Sequence, residues 1–188
     1  MKRSFLLELP DASLPAGLAF LRQARFRLRE DYFIKISAAL VELNDEQIWW
    51  RPNEASNSIG NLILHLCGNA RQWMIAGVGG ATDVRQRASE FAERDRISKA
   101  GLMALLAETL KEVDAVLAGL EDELAAVQSD APLQRECLPQ GYAQTVQDAV
   151  FHMVEHFSYH TGQIILLAKW HAAERIRMYD DRRLNLEA

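Results

Sequence analysis

Four long stretches in which apolar residues recur at three- and four-residue intervals constrain this chain to helices packed side by side, because that spacing gathers one apolar stripe only on a helical backbone. The first covers residues 16–43, where Leu18, Leu21, Leu28, Tyr32, Ala39 and Leu43 follow Pro15. The second, 58–76, carries Ile59, Leu62, Leu66 and Trp73; the third, 98–128, carries Leu102, Leu105, Leu106, Leu110, Val113 and Leu117. The fourth, 145–170, carries Val146, Ala149, Val150, Met153, Phe157, Ile164 and Leu167. No alternating run of comparable length competes as a strand, and only 10 Gly and 5 Pro interrupt 188 residues, which leaves the helices few internal breaks. Four such stripes are buried most simply against one another, so the expected fold is all-α, a four-helix bundle with long connecting loops.

Local signals mark where the helices begin and end. Asn57-Ser58 precedes the second, which stops at Gly77, Gly79 and Gly80; Ser98 can cap the third; Thr145 with Asp148 forms a capping-box pattern for the fourth. Between them, residues 77–97 are longer than a bundle loop usually is, which predicts a flap or a short extra helix, and residues 129–144 form a second long loop. Pro132, Pro139 and Gly141 fall in the second of these loops. A short charged piece follows the last helix, and the length predicts one domain over residues 1–188.

Lys plus Arg number 21 against 26 Asp plus Glu, a net charge of −5, which argues against a phosphate-tracking surface and so against nucleic acid as a partner. The run Arg22, Arg25, Arg27, Arg29 reads as a solvated helix face. The apolar start of the chain is broken at Glu8 and Pro10, unlike a secretory signal, and no apolar stretch is long enough to span a bilayer. Cys67 and Cys137 are far apart and in no CxxC pair, as expected of reduced thiols in a cytoplasmic protein.

The chemistry-bearing residues are histidines. His65 stands alone in the second helix, while His152, His156 and His160 follow at four-residue steps in the fourth. Neighbours in that series rise about 6 Å along the axis, so two can grip one ion but His152 and His160 cannot share it. The apolar stripe places His160 inward, His156 at its edge and His152 farthest out, which favours the pair His156 and His160. An ion needs a further protein ligand, and His65 is the remaining histidine within a long helix, with Asn61, Asn69 and Gln72 at helical spacing around it. Histidines at such spacing also occur as hydrogen-bonded core residues or on solvent-facing sides, so spacing alone leaves both readings open.

The segment His156-Phe-Ser-Tyr-His160-Thr-Gly162-Gln163-Ile164 resembles the HxxYHxGQI signature of the DinB/YfiT-like superfamily of metal-dependent proteins, and Asn57 to Leu66 resembles its second-helix motif. Trp49-Trp50-Arg51-Pro52, Gly68 to Trp73 and Arg85 to Phe91 are similar to one branch of it, so the likeness runs from about Leu18 to Trp170. The resemblance implies a four-helix bundle in which one histidine of the second helix joins two of the fourth on a divalent ion, commonly zinc or nickel, with iron or manganese as alternatives. The positions that match are His65, His156 and His160. It further implies a homodimer and, from some members, thiol S-transfer with a low-molecular-weight thiol; a hydrolase acting on a small molecule is the neighbouring expectation. A non-catalytic metal-binding or stress-associated bundle and a small-molecule sensor remain as alternatives at this point.

Other residues are given plainer roles. Asp148 and Glu155 point away from the inward stripe and read as cap and solvated face. Glu90 and Tyr142 are the loop residues that could furnish a pocket, although structural loop roles explain them better. Trp49, Trp50 and Trp73 are expected to pack on the core more than to shape a substrate mouth. Cys67 lies two residues from His65, hence on another side of the helix, and His171 reads as a surface or helix C-terminal residue.

Overall fold

A computed structural model describes residues 14–178; the N-terminal segment read for a signal, and the end of the charged C-terminal piece, lie outside the described residues. The chain is all-α, and four long helical segments carry its core. The first comprises α1 (Ala16–Phe26), a π-helical stretch (Arg27–Tyr32) and α2 (Phe33–Val41). After the short α3 (Asp45–Trp49), the second comprises α4 (Ile59–Ala70) and a π-helical extension (Arg71–Val78). A short α5 (Arg87–Ala92) interrupts the loop before α6 (Lys99–Val127). The loop after α6 holds α7 (Ala131–Gln134) and a two-residue antiparallel pairing of β1 (Glu136–Cys137) with β2 (Gln144–Thr145). The fourth long segment is α8 (Val146–Ala172). No helix of the described residues is long and apolar enough to cross a membrane.

Helix starts follow the local chemistry. Ser58 accepts from the Asn61 amide while Asn61 reaches back to the Ser58 amide, and Thr145 and Asp148 do the same for α8. Each box satisfies two backbone N–H groups that an isolated helix end leaves without partners. Ser98 caps α6 through the Gly101 amide. The stripes then meet: Leu21, Leu28, Ile36, Ile63, Leu106 and Phe157 are all at most 1% exposed, so every long segment contributes to one core. Removing such side chains from water supplies the main drive for folding, roughly 1.5–3 kcal/mol for each large apolar residue. Trp49 packs inward as expected: it donates its indole N–H to the Ile97 carbonyl at 2.9 Å and lies so close to Gly60 that a Cβ there would meet its ring at 2.7 Å.

The basic run of the first helix is not a free cationic patch. Arg25 donates to both carboxylate oxygens of Asp114 (2.7 and 3.1 Å) and to Glu121 (3.0 Å), and Arg29 donates to Asp114 at 2.8 Å. These contacts clamp α1 to the acidic side of α6. The hydrogen bonds from Arg25 hold the Asp114 carboxyl below its usual range. A depressed carboxyl contributes stability that is complete above its unfolded pKa of about 4 and is lost as pH falls through its folded value. Asp114→Asn is therefore expected to cost about 1 kcal/mol at pH 7, with the gap to the parent closing below about pH 4; denaturant unfolding at the two pH values checks it.

Candidate metal centre

His65 projects from the middle of α4, and His156 and His160 project from the middle of α8, which packs against α4. The structure brings the three rings together. Nitrogens of His65, His156 and His160 all lie within 4.8 Å of one another, and the His65 and His156 Nε2 atoms are 3.0 Å apart. The ring centroids stand 4.8 Å (His65 to His156), 5.1 Å (His65 to His160) and 4.5 Å (His156 to His160) from each other. With ligand distances of about 2.0–2.1 Å, two nitrogens at right angles on one ion are about 3.0 Å apart and two opposite ones about 4.2 Å. The closest pair already meets that spacing, and a ring movement under about 1 Å brings in the remainder. This group could hold a metal ion.

The outer nitrogens of two rings are fixed by hydrogen bonds. His65 Nδ1–H donates to Glu90 Oε2 at 2.9 Å, which leaves its Nε2 lone pair facing His156. Arg85 Nη2 lies 3.1 Å from the same Nδ1, but that nitrogen already carries the donated proton, so the guanidinium serves Glu90 instead. Its two hydrogen bonds to the carboxylate are 2.7 Å (Nε to Oε1) and 2.9 Å (Nη2 to Oε2). His160 Nδ1–H donates to Gln163 Oε1 at 2.7 Å, which likewise frees Nε2. A carboxylate or amide behind a metal-binding imidazole sets its tautomer and orientation, so the pattern matches what a divalent ion requires of its ligands.

Electrostatics favour neutral imidazoles at His156 and His160. Burial, followed by the like charges of His160 and His65, pushes the His156 imidazole down to about 3, and burial lowers His160 as well. Burial raises the Glu90 carboxyl, yet the hydrogen bonds from Arg85 and His65 outweigh it and hold Glu90 below its usual range. The anion is thus present behind His65, and the lone pairs are available in front.

Glu90 reaches His65 because α4 is shaped to receive the 77–97 loop. Asn61 donates its amide hydrogens to the Glu90 and Glu93 carbonyls, both at 2.9 Å, tying α5 to the start of α4. Gly68 leaves room for the carboxylate: a Cβ at that position would overlap Glu90 Oε1. Further along, Gln72 in the π-helical extension joins both long loops, donating to Asp83 at 2.7 Å and accepting from Arg85 (2.9 Å) and Gln140 (3.0 Å). A methyl at residue 68 must displace Glu90, so Gly68→Ala is expected to weaken divalent-ion affinity about tenfold with the helix content unchanged; competition against a chromogenic chelator measures it.

A cavity of about 480 Å³ opens beside the histidines, with His65, His156, Trp73 and Tyr142 among its walls. His152 also lines it, stacked on Trp73 at 3.9 Å and held by Asn69 Nδ2 at 3.4 Å, although it is outside the three-histidine group. Its position at the outer edge of α8 is as the helical angle requires, but Trp73 and the 129–144 loop cover that side. The Asn69 Oδ1 and Trp73 Nε1 atoms are buried without a hydrogen-bond partner.

The remaining expectations divide clearly. Glu90 and Tyr142 line or support the cavity; Asp148 completes the capping box of α8, Glu155 is exposed, and His171 lies in the last turn of α8 with its ring against Trp50. Cys67 is buried outside the group, and burial pushes its thiol up to about 12, which disfavours the thiolate. Arg85, Gly68 and Gln163 were not picked out as site residues from the sequence. Gln163 had a legible signal, three residues after His160 on one helix face, whereas Gly68 acts through Glu90, a loop residue, and Arg85 reaches His65 through that same carboxylate.

No curated protein matches the chain. Its fold is similar to the crystal structure of a DinB-like protein from Bacillus cereus ATCC 10987, with a TM-score of 0.55 and 14% sequence identity over 82% of this chain and 91% of that one. The model of the family described as protein of unknown function DUF1572 matches residues 16–179, so the chain belongs to that family, and its fold is of the DinB-like type.

Proposed function

We propose that His65, His156 and His160 hold one divalent ion and that the protein is a metal-dependent enzyme acting on a small molecule, as a thiol S-transferase or a hydrolase. The observation that carries this reading is the pair of Nε2 atoms 3.0 Å apart, with the proton of His65 committed to Glu90 on the far side of its ring. Three neutral imidazoles suit zinc or nickel best and accept iron or manganese. When bound, such an ion supplies Lewis acidity that lowers the pKa of a thiol or water taken at a position the histidines leave open. His65 and His156 line the cavity as well as belonging to the histidine group, so a substrate lodged there lies next to the ligands. Trp73 and Tyr142 narrow the same space and limit the water that enters with it.

Protein purified without a histidine tag or chelator is expected to contain about one divalent ion per chain by elemental analysis. A panel of low-molecular-weight thiols with electrophiles, and of small esters and amides, assayed with and without the ion then separates transferase from hydrolase. Turnover that survives removal of all three histidines would reject the metal mechanism. Absence of turnover with full metal content would favour a binder or sensor.

The outer side of α8 supports a homodimer. Phe151, Tyr159, Leu166 and Trp170 are each more than 60% exposed and lie along one face with Gly162, where a Cβ would meet nothing within 4 Å. Positions 151 and 170, and 159 and 162, are symmetric about one point of that face. An antiparallel pairing of two copies would therefore set Phe151 against Trp170 and Tyr159 over Gly162. Sedimentation of the parent and of Tyr159→Glu is expected to give a dimer and a monomer. The two free cysteines fit a reducing compartment, and the protein is read as cytoplasmic.

A further inference from the structure

We propose that the cavity beside the histidines takes small molecules that carry a carboxylate, and that Arg87 is the residue that recognises it; this rests on the reading of the cavity as the substrate site of a metal centre. Two arginines, Arg85 and Arg87, line the cavity, and among the described residues no Asp or Glu lines it. Their roles differ. The Arg85 side chain is only 4% exposed and spends three of its five N–H groups, two on Glu90 and one on Gln72, so its charge is paired before any ligand arrives. Arg87 is exposed, and among the described residues no carboxylate lies within ion-pair reach of it.

Arg87 is nevertheless held in place. Its guanidinium carbon stands 4.9 Å from the centroid of the Phe91 ring, and Phe91 is in turn 4.9 Å, centroid to centroid, from the ring of His65. One aromatic ring therefore spaces a free cation from the histidine cluster, and the cation lies no farther than two such contacts from the His65 ring. A guanidinium over an aromatic face keeps its N–H edges available in its own plane. Those edges match a carboxylate through two parallel hydrogen bonds. One uncompensated guanidinium balances one negative charge, which favours a carboxylate over a phosphate dianion. Gln72 and Tyr142 on this wall are already occupied, Gln72 accepting from Gln140 and Tyr142 donating to it, whereas Asn69 Oδ1 and Trp73 Nε1 stay without a partner and carry no charge to compete with Arg87. A ligand bound by its soft or acidic atom next to the histidines and by a carboxylate a few bonds away at Arg87 would span the cavity.

The test uses 3-mercaptopropionate and its methyl ester, which share a thiol and a carbon chain and differ in one charge. Binding to zinc-loaded protein is measured by calorimetry, and again after the metal is stripped with a chelator. The acid is expected to bind at least about tenfold more tightly than the ester. The ester has the more acidic thiol, so any bias from thiolate formation runs against this result. Arg87→Gln is expected to bring the two within about twofold, with the loss falling on the acid, while Arg87→Lys keeps part of the preference and both variants keep the parental melting temperature and zinc content. Equal binding of acid and ester to the parent, a preference that survives Arg87→Gln, or no binding of the acid to either form of the protein would overturn the proposal. Failure of the metal reading looks different: acid and ester would each bind the loaded and the stripped protein equally, while their ratio still reports on Arg87.

Discussion

Replacing any one of His65, His156 or His160 by alanine is expected to lower affinity for a divalent ion by more than about 100-fold, because three-imidazole sites lose firm binding when reduced to two and the histidines supply every ligand in the group. The helical fold should remain, since the core rests on Phe157, Ile63, Leu106 and their neighbours rather than on the imidazoles. His152→Ala is the matched control. It removes a histidine four residues from His156 that lines the same cavity but lies outside the group, and metal content should be unchanged. Circular dichroism together with elemental analysis of the four variants separates loss of the ion from loss of the fold.

Glu90→Ala is expected to produce the second large effect, on stability and affinity at once. Arg85 would keep its buried guanidinium with no carboxylate to pair with it, and breaking a buried ion pair from one side costs about 3–5 kcal/mol. His65 would lose the acceptor that fixes its proton on Nδ1, which typically lowers metal affinity by about 10–100-fold. The two consequences can be separated. Replacing both partners, Arg85→Met with Glu90→Met, removes the stranded charge and should recover much of the stability, while the affinity stays low. Recovery of both together would mean that Glu90 acts on the ion only through the fold.

The four helical stripes and their starts were legible in the sequence because the signals are local. Ser58, Ser98, and Thr145 with Asp148 each announce a helix within one turn, and the structure uses all of them. The convergence of His65 with His156 and His160 was legible in part: the apolar stripe orients α8, but the meeting of two helices 91 residues apart in sequence is a tertiary event. The π-helical turn over Arg71–Val78 carries no periodic signature, and the sequence reading ended that helix at Ala76 in α form. Glu90 illustrates the wider limit. It lies in a loop without apolar rhythm, and its role depends on a gap left by Gly68, on Asn61 gripping the backbone of α5 and on Arg85 holding its oxygens. None of these contacts is near it on one helix face, where spacing could expose them. His152 shows the converse: its angle on α8 was read correctly, but the wall built by Trp73 beside it comes from another element.

X-ray absorption at the edge of the bound metal in tag-free protein interrogates the ligand set itself. Three imidazole nitrogens at about 2.0–2.1 Å in the first shell, falling to two in His156→Ala, are the predicted result. A shell dominated by sulfur or carboxylate oxygen, or a spectrum indifferent to that substitution, would contradict it.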